Sequence, residues 1–217
     1  TEMESKGYID LTLSALRDFG IEIINNDYKE FIIKGNQEYK ARNYKVEGDY
    51  SQAAFFLTAN AIGNKVEIDD VLANSAQGDK EAIDILSRMG MTVQWNKSKN
   101  GIIPAENNDL KATIIDGSQC PDIIPVLSVA AALAKGTTKI IKAGRLRIKE
   151  CDRLKAVASE LTKLGAKIEE KEEGLIIEGV ESLKGGVEVW SWKDHRIAMT
   201  LAIAATRCEE PIILKDY

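Results

Sequence analysis

The chain has 217 residues, 44% of them hydrophobic and 29% charged, and its formal net charge is −5 at pH 7. This is enough apolar material for the core of one domain or of two small ones. The basic residues are scattered, which argues against a nucleic-acid-binding protein but is compatible with small anionic substrates. The longest apolar run, residues 123–134, is too short to cross a bilayer, so we expect no membrane association.

Cysteine usage and the first residues indicate a compartment. Cys120, Cys151 and Cys208 form no CxxC pair and no metal-ligand spacing with His195, the single histidine. We therefore expect free thiols, a reducing environment and no metal site. No basic segment followed by an apolar one opens the chain, so no signal peptide and a cytoplasmic location are expected.

Helices that end in glycine recur along the chain. Three segments share one pattern, the last turn of an amphipathic helix, a glycine and a strand: residues 16–23, 86–93 and 161–168. Their glycines are Gly20, Gly90 and Gly165, at a period of about seventy residues. Glycine suits the end of a helix because it takes the left-handed conformation without a Cβ clash.

A second series of residues has the same period. Asp49, Asp122 and Asp194 each stand directly before an apolar run of helical character. The runs are residues 51–62, 123–135 and 197–207, and the short β-rich stretches after them are residues 65–68, 137–141 and 211–214. Two series of residues with the same period indicate that one supersecondary unit is repeated.

The repeated unit predicts an α/β fold. Each period reads as strand, helix, strand, helix, strand, strand, and residues 96–101 and 171–174 carry the turn residues expected between paired strands. Residues 1–46 supply less than one complete unit, and the last predicted strand runs to the end of the chain. We therefore expect this to be a fragment of a longer protein.

Charged helix tips are the candidate binding residues. Pro125 is tolerated only in the first helical turn, which places Asp122 at or next to an N-cap, and a structural cap is the favoured interpretation of that carboxylate. Asp194, His195 and Arg196 stand at the equivalent tip one unit later. Helix N-termini attract anions, and a guanidinium matches a carboxylate or a phosphate. A solvated arginine and a packed histidine remain the alternatives.

A denser charged stretch, Lys-Glu-Cys-Asp-Arg-Leu, occupies residues 149–154. Glu150 and Arg153 are three residues apart and could form a surface ion pair worth tenths of a kcal/mol. An exposed, charge-rich helix start is an equally good explanation of the stretch. The chain contains no GxGxxG, GxxxxGK[ST], GxSxG or HExxH, so dinucleotide binding, P-loop chemistry and a serine hydrolase lack support.

Several of these phrases resemble those of EPSP synthases. Residues 149–154 resemble the family's KE[ST]DRL, and residues 194–199 (DHRIAM) resemble its DHRxAM. Residues 46–57 are similar to its crossover between domains, residues 5–10 (SKGYID) to its SKxYID, and Asp122 lies in a similar context. The resemblance covers almost the whole chain in the family's order. It implies the enolpyruvyl transferase fold, an inside-out α/β barrel in which each of two globular domains has three βαβαββ units.

The resemblance also implies domains and a reaction. Residues 1–47 would end the first domain, and residues 48–217 would form most of the second. The family joins the 5-hydroxyl of shikimate 3-phosphate to C2 of phosphoenolpyruvate, in the shikimate pathway of aromatic amino-acid biosynthesis. A tetrahedral intermediate then expels phosphate. No metal or organic cofactor is implied, and the expected partners are these two anions and the rest of the same enzyme.

Roles of individual residues follow from the same resemblance. Asp122 matches the base and a ligand of the shikimate hydroxyls, and Glu150 matches the proton-transfer carboxylate on the other side of the intermediate. Two carboxylates can take opposed roles because neighbouring charges separate their pKa values. The matches to binding residues are Lys149, Ser5 and Tyr8 for shikimate 3-phosphate, Arg153 and Arg196 for phosphoenolpyruvate, and His195 as a site neighbour of less defined role.

Departures from the family pattern set further expectations. Cys151 replaces a serine or threonine, which we expect to be tolerated, and Arg145 replaces an asparagine that binds substrate in some members, so its role stays open. The family's Lys-Ser and Ser-Ser-Gln motifs would precede Thr1, and its C-terminal lysine would follow Tyr217. The 217-residue chain alone is therefore expected to lack appreciable activity. The alternatives are a UDP-N-acetylglucosamine enolpyruvyl transferase and a non-catalytic module that binds anions.

Overall fold

The computed structural model describes residues 3–104 and 109–217, and within them the chain forms six α-helices and eleven strands. The helices are α1 Lys6–Asp18, α2 Tyr50–Ala61, α3 Glu81–Arg88, α4 Ile124–Ala132, α5 Arg153–Lys163 and α6 His195–Ala205. The strands are β1 Ile23–Asn26, β2 Glu30–Ile33, β3 Ile68–Asp69, β4 Gln94–Trp95, β5 Gly101–Ile103, β6 Ile114–Asp116, β7 Thr137–Ile141, β8 Lys167–Lys171, β9 Gly174–Glu178, β10 Glu188–Trp190 and β11 Ile213–Lys215.

The repeated unit is confirmed, and its complete copy is β6-α4-β7-α5-β8-β9. Its strands form one sheet in the order β6-β7-β9-β8, with β6 and β7 parallel and the other pairs antiparallel. The copy before it supplies α2-β3-α3-β4-β5 with the sheet order β3-β5-β4, and the copy after it supplies β10-α6-β11. In that last copy β10 and β11 are parallel, as β6 and β7 are.

The three glycines of the repeat end their helices with the same backbone geometry. Gly20, Gly90 and Gly165 have φ of 85°, 108° and 95°, the left-handed region that glycine enters freely. At the first of them, the Gly20 N–H donates to the Arg17 carbonyl at 3.0 Å and the next N–H donates to the Leu16 carbonyl at 2.9 Å. The other two helix ends repeat this pair of bonds, the Schellman arrangement that satisfies the last carbonyls of a helix.

Three helices form the centre of the fold. All nine residues of α4 are buried, and α4 packs against both α2 and α6, which also contact each other. Helix α4 is buried around its whole circumference because α2, α5, α6 and strand β9 pack against it. Observed helix α6 begins two residues before the predicted run, since the Asp194 carboxylate accepts a hydrogen bond of 2.8 Å from the Arg196 N–H and caps it there.

Residues 3–48 lie against this core through α1. No residue of α1 is buried, and the hairpin β1–β2 beside it also exposes apolar side chains, including Ile33. The chain then runs without regular structure to Gly48, whose N–H donates to the Asp70 carbonyl at 2.7 Å. A Cβ at residue 48 would lie 2.6 Å from that carbonyl oxygen, so only glycine fits. The domain boundary expected at residues 47–48 stays a prediction.

None of the helices in residues 3–104 and 109–217 has the length and apolar character needed to cross a membrane.

Candidate active site

The candidate site lies where the central helices begin. Asp49 caps α2 through the Ser51 N–H at 2.7 Å, as Asp194 caps α6. One side chain reaches all three helix starts: Arg196, in the first turn of α6, donates from Nη2 to the Ser51 Oγ at 3.2 Å and from Nη1 to the Asp122 carbonyl at 3.4 Å. The positive ends of the helix dipoles therefore converge on a single region, which favours anions.

Asp122 is not a helix cap, so the interpretation favoured on spacing is wrong. It lies in a 3₁₀ turn, Pro121–Ile123, that precedes α4, and no side-chain cap bond is made there. Its Oδ1 lies 3.0 Å from Nη1 of Arg153 and 3.1 Å from Nζ of Lys149, and its Oδ2 lies 3.4 Å from Nη2 of Arg196. A cap contributes about 1 kcal/mol, and charge-assisted bonds to three cations outweigh it.

Arg153 is the centre of the cluster and is buried, which also corrects the surface ion pair predicted for it. Only 1% of its side chain is exposed. Its Nη2 donates to Glu150 at 2.6 Å, its Nη1 to Asp122 at 3.0 Å and its Nε to Asp194 at 2.8 Å. A guanidinium has five N–H donors in a fixed plane, so it holds these three carboxylates at set directions around it.

The cations keep two of the carboxyl groups ionised. Burial raises the pKa of Asp122, but the charges of Arg196, Lys149 and Arg153 outweigh it and hold that pKa below its usual value. Burial likewise raises the pKa of Asp194, but the hydrogen bonds and the ion pair with Arg153 lower that pKa by a larger amount. Both groups are therefore negative at neutral pH.

Tyr8 brings the start of α1 into the same cluster. Its hydroxyl donates to Asp79 Oδ2 at 2.7 Å and lies 3.5 Å from Asp122 Oδ2. Burial and the neighbouring Asp79 carboxylate raise the pKa of Tyr8, so its phenol stays protonated. A cleft of about 490 Å³ is lined by Tyr8, Ser51, Gln77, Asp79, Asp122 and Arg196, together with apolar residues of α1.

Two predicted residues stand at the edge of the cluster. Ser5 is in the left-handed region with φ of 57°, and its Oγ accepts a hydrogen bond of 3.0 Å from Arg145, which also pairs with Glu4 at 3.3 Å. His195 begins α6 with 58% of its side chain exposed, and its Nδ1 lies 4.0 Å from Asp194 Oδ1. The other predicted residues form one connected network: Tyr8, Asp122, Lys149, Glu150, Arg153 and Arg196.

Gln77 and Asp79 were missed by reasoning from sequence. The signal was present in the repeat itself. When the three glycine-ended helices are aligned on Gly20, Gly90 and Gly165, the loop before α3 matches the starts of α1 and α5. Those two starts carry Tyr8 and Arg153, so the loop at residues 77–80 is expected to face the same cleft.

The cluster has the groups needed to bind an anion and to move protons. The side-chain contacts of Arg196, at 3.2–3.4 Å, lie at or beyond the upper end of the usual hydrogen-bond range, so an anionic ligand could replace them. Glu150 is about half exposed and can leave Arg153 for a substrate. No group of three or more His, Cys, Asp or Glu side chains suited to a metal ion occurs in residues 3–104 and 109–217.

Comparison with solved structures identifies the class. The fold matches EPSP synthase from Acinetobacter baumannii with a TM-score of 0.79 and 30% identity, over 93% of this chain and 48% of that one. It also matches the enolpyruvyl transferase NikO from Streptomyces tendae with a TM-score of 0.77, over 99% of this chain and 49% of that one. That second likeness, at 18% identity, concerns the fold alone. The architecture is that of the enolpyruvyl transferases, as the sequence predicted.

Sequence comparison identifies the family. The family model for EPSP synthase (3-phosphoshikimate 1-carboxyvinyltransferase) matches residues 1–217, and the chain belongs to that family. Curated proteins named 3-phosphoshikimate 1-carboxyvinyltransferase are 70% identical in Clostridium beijerinckii and 68% identical in Clostridioides difficile, over all of this chain. The chain spans about half the length of these relatives, 49% in each case.

Proposed function

We propose that the full-length protein transfers the enolpyruvyl group of phosphoenolpyruvate to the 5-hydroxyl of shikimate 3-phosphate and releases phosphate. Family membership supports this reaction, and so does the site. The observation that carries it is the placement of Asp122 and Glu150 on two nitrogens of one buried guanidinium, Arg153, at 3.0 and 2.6 Å. Such an arrangement fixes the directions of two carboxyl groups around one cation, and a substrate anion bound there would have both within reach.

Each carboxylate has one task in this proposal. Asp122 accepts the proton of the 5-hydroxyl while the hydroxyl oxygen bonds to C2 of phosphoenolpyruvate, and Glu150, in its protonated form, gives a proton to the methylene carbon. The tetrahedral intermediate then returns a proton from that carbon to Glu150, re-forms the double bond and expels phosphate, which takes up the proton held by Asp122 so that both carboxyl groups regain their starting states. Asp122 suits the first task because the surrounding cations keep it ionised until the hydroxyl arrives.

The cations position and neutralise the two anionic substrates. Arg153 and Arg196 would hold phosphoenolpyruvate, with Arg196 exchanging its contacts to Ser51 and Asp122 for the carboxylate or phosphate of the ligand. Lys149, Ser5 and Tyr8 would line the shikimate 3-phosphate site, and residues 48–217 would form most of the second domain. Since the described cations are already paired with carboxylates, further positive charge has to come from the rest of the enzyme. We place the reaction in the cytoplasm.

Phosphate release by the purified full-length protein tests this function. With phosphoenolpyruvate and shikimate 3-phosphate we expect turnover, and with a UDP-N-acetylglucosamine acceptor we expect none. Turnover with the UDP sugar alone would overturn the assignment. The 217-residue chain by itself should release no appreciable phosphate. Near-normal turnover by this chain would contradict the proposal that the rest of the enzyme supplies part of the site.

A further inference from the structure

Asp79 is a buried carboxylate that the proposed reaction does not use. It is 3% exposed and lines the cleft, with Oδ2 accepting the hydrogen bond of Tyr8. Its Oδ1 is buried and has no hydrogen-bond partner among the described residues. An ionisable group so poorly satisfied costs stability, since a buried acceptor without a partner loses its hydration without compensation. A carboxylate that lowers stability but lies beside the proposed catalytic residues suggests that it contributes to function.

The Tyr8 hydroxyl has one proton and two carboxylates within reach. The distance to Asp79 Oδ2 is 2.7 Å, and the distance to Asp122 Oδ2 is 3.5 Å. The proton therefore lies on the line to Asp79, because a hydrogen bond of 2.7 Å is close to ideal and one of 3.5 Å is weak. Asp122 Oδ2 is left without a donated proton from the tyrosine.

Backbone contacts keep Tyr8 in this position. A Cβ at Gly7 would lie 2.6 Å from the Cα of Gly78, so the start of α1 packs directly on the loop that carries Asp79. The Lys6 N–H also donates to the Gln119 side chain at 3.0 Å. The phenol is thus held between the two carboxylates, and the choice of acceptor depends on which of them is present.

We propose that Asp79 is a positioning residue for enolpyruvyl transfer, which accepts the Tyr8 proton and so leaves Asp122 free to accept the proton of the acceptor hydroxyl. This inference rests on the proposed function. Without Asp79, the nearest acceptor for Tyr8 is Asp122. A phenol bonded to Asp122 stabilises its anion, lowers its basicity and occupies the oxygen that the substrate needs.

Other groups also shift the pKa values of Asp79 and Asp122, and the test has to take these shifts into account. Burial raises the pKa of Asp79, as do Asp122 and Asp49, and the Tyr8 hydrogen bond and Arg196 only partly offset this. Burial also raises the pKa of Asp122, but Arg196, Lys149 and Arg153 lower it by more. Replacing Asp79 removes a negative neighbour from Asp122, which lowers the Asp122 pKa in the same direction as the new hydrogen bond. The test must therefore separate the charge of Asp79 from its hydrogen bond.

Asp79→Leu and Asp79→Asn make that separation in the full-length enzyme. Both remove the charge and keep the branched shape of the side chain, leucine being the bulkier, but only asparagine keeps an oxygen that can accept from Tyr8. We expect kcat to fall about tenfold in Asp79→Leu, the worth of one hydrogen bond placed on the base, and to change less than about threefold in Asp79→Asn. The acid limb of the rate profile should move to lower pH in Asp79→Leu. Equal losses in both variants would overturn the proposal.

Tyr8→Phe removes the competing donor and supplies the decisive comparison. In the double variant Tyr8→Phe/Asp79→Leu, kcat should equal that of Tyr8→Phe alone, because no phenol is left to reach Asp122. If the two losses multiply instead, Asp79 acts through something other than Tyr8 and the proposal fails. Asp84→Ala, which removes an exposed aspartate of α3, is the control and should leave kcat unchanged.

A crystal structure of full-length Asp79→Leu provides a measurement that needs no turnover. The Tyr8 Oη should move from 3.5 Å to within hydrogen-bond distance of Asp122 Oδ2, roughly 2.7 Å. An unchanged distance contradicts the inference about Asp79 even if the wild-type enzyme is active. A shortened distance in a wild type that transfers no enolpyruvyl group would instead count against the proposed function alone. Asp79→Leu removes a buried charge, so we expect it to fold.

Discussion

The Arg153 guanidinium is bonded to the Asp194 carboxylate through two of its nitrogens, Nε at 2.8 Å and Nη2 at 3.3 Å, with almost no exposure of either side chain. The same carboxylate caps α6 through the Arg196 N–H. Asp194 therefore joins the start of α5 to the start of α6. Its two tasks, an ion pair and a cap, can be separated by mutation because asparagine caps helices as well as aspartate does.

Asp194→Asn should destabilise the protein by about 1.5–3 kcal/mol, because Arg153 keeps Asp122 and Glu150 as charged partners but loses the charge of its most buried one. The matched control is Asp49→Asn, which changes an equivalent cap at α2 that has no buried arginine. Asp49→Asn should lower the free energy of unfolding by less than about 1 kcal/mol. Urea unfolding of the full-length variants measures both. Similar losses at the two positions would show that the cap, and not the ion pair, is the important contact.

The protein should lose stability in acid through buried carboxylates. Burial raises the pKa of Glu160, but hydrogen bonds from Lys163, the Trp192 indole and the Trp190 N–H outweigh it and lower that pKa. The pKa of Asp194 is also lowered. A folded-state pKa below the unfolded one stabilises the fold above the unfolded value, about 4, and this stabilisation is lost as pH falls through the folded pKa.

We therefore expect the free energy of unfolding to be nearly flat from about pH 6 to pH 5 and to fall below about pH 4. Tryptophan fluorescence should follow the loss, since Trp192 bonds to Glu160 and stacks on Trp190 at 5.1 Å. Glu160→Gln should flatten the acid limb while lowering stability at neutral pH. An acid limb unchanged by this substitution would assign the pH dependence to other groups.

Removing either proposed proton-transfer carboxylate should nearly abolish turnover. We expect Asp122→Asn and Glu150→Gln each to lower kcat on the order of a thousandfold, within the range of general acid–base catalysis. Glu181→Gln, at an exposed glutamate elsewhere in the chain, is the control and should keep full activity. Steady-state phosphate release measures all three. Full activity in both site variants would favour the non-catalytic, anion-binding interpretation.

Cys151 should be a poor nucleophile in spite of its place in the site. Burial and the neighbouring Asp194 carboxylate raise its pKa to about 12, so the thiolate is scarce at neutral pH. Alkylation of the native full-length protein at pH 7.5, mapped by mass spectrometry, should leave Cys151 largely unmodified. Cys151→Ser should retain kcat within about threefold, because serine keeps a donor to Asp194 in place of the thiol. Rapid labelling of Cys151 would contradict the first expectation.

Gly7→Ala tests the close contact between α1 and the loop before α3. The added methyl would lie 2.6 Å from the Gly78 Cα, so the start of α1 must move away from the site. Overpacking of this kind costs about 1–3 kcal/mol, and we expect kcat/KM to fall by at least about tenfold as Tyr8 is displaced. Gly35→Ala is the control, since nothing lies within 4 Å of its added Cβ. Equal activity in the two variants would contradict the importance of the contact.

Local features of the fold were predictable from the sequence. The glycine helix ends and strand β7, Thr137–Ile141, were predicted at their observed positions because they depend on neighbours within a few residues. Helix α2 also lies within one residue of its predicted run at each end. The period of about seventy residues extended this local information to the whole chain, since one repeated unit implies one repeated packing.

The errors came from side chains whose partners are distant in sequence. Spacing from Pro125 placed Asp122 beside a helix start correctly but made it a cap, because a cap is the only partner that local sequence offers. In the structure its partners include Arg153 and Arg196, 31 and 74 residues away. Asp79 was missed for the same reason, since its hydrogen bond reaches back 71 residues to Tyr8.

The sequence by itself determined the repeat, the helix ends, the family and the residue types of the site, all of which are properties of short segments and their order. Only the tertiary structure decided which carboxylate faces which cation. The burial of Arg153 among three carboxylates, and the position of Tyr8 between two, depend on helix starts from different units meeting at one end of the core. Electrostatic interactions act through space, so chain order does not specify these partners.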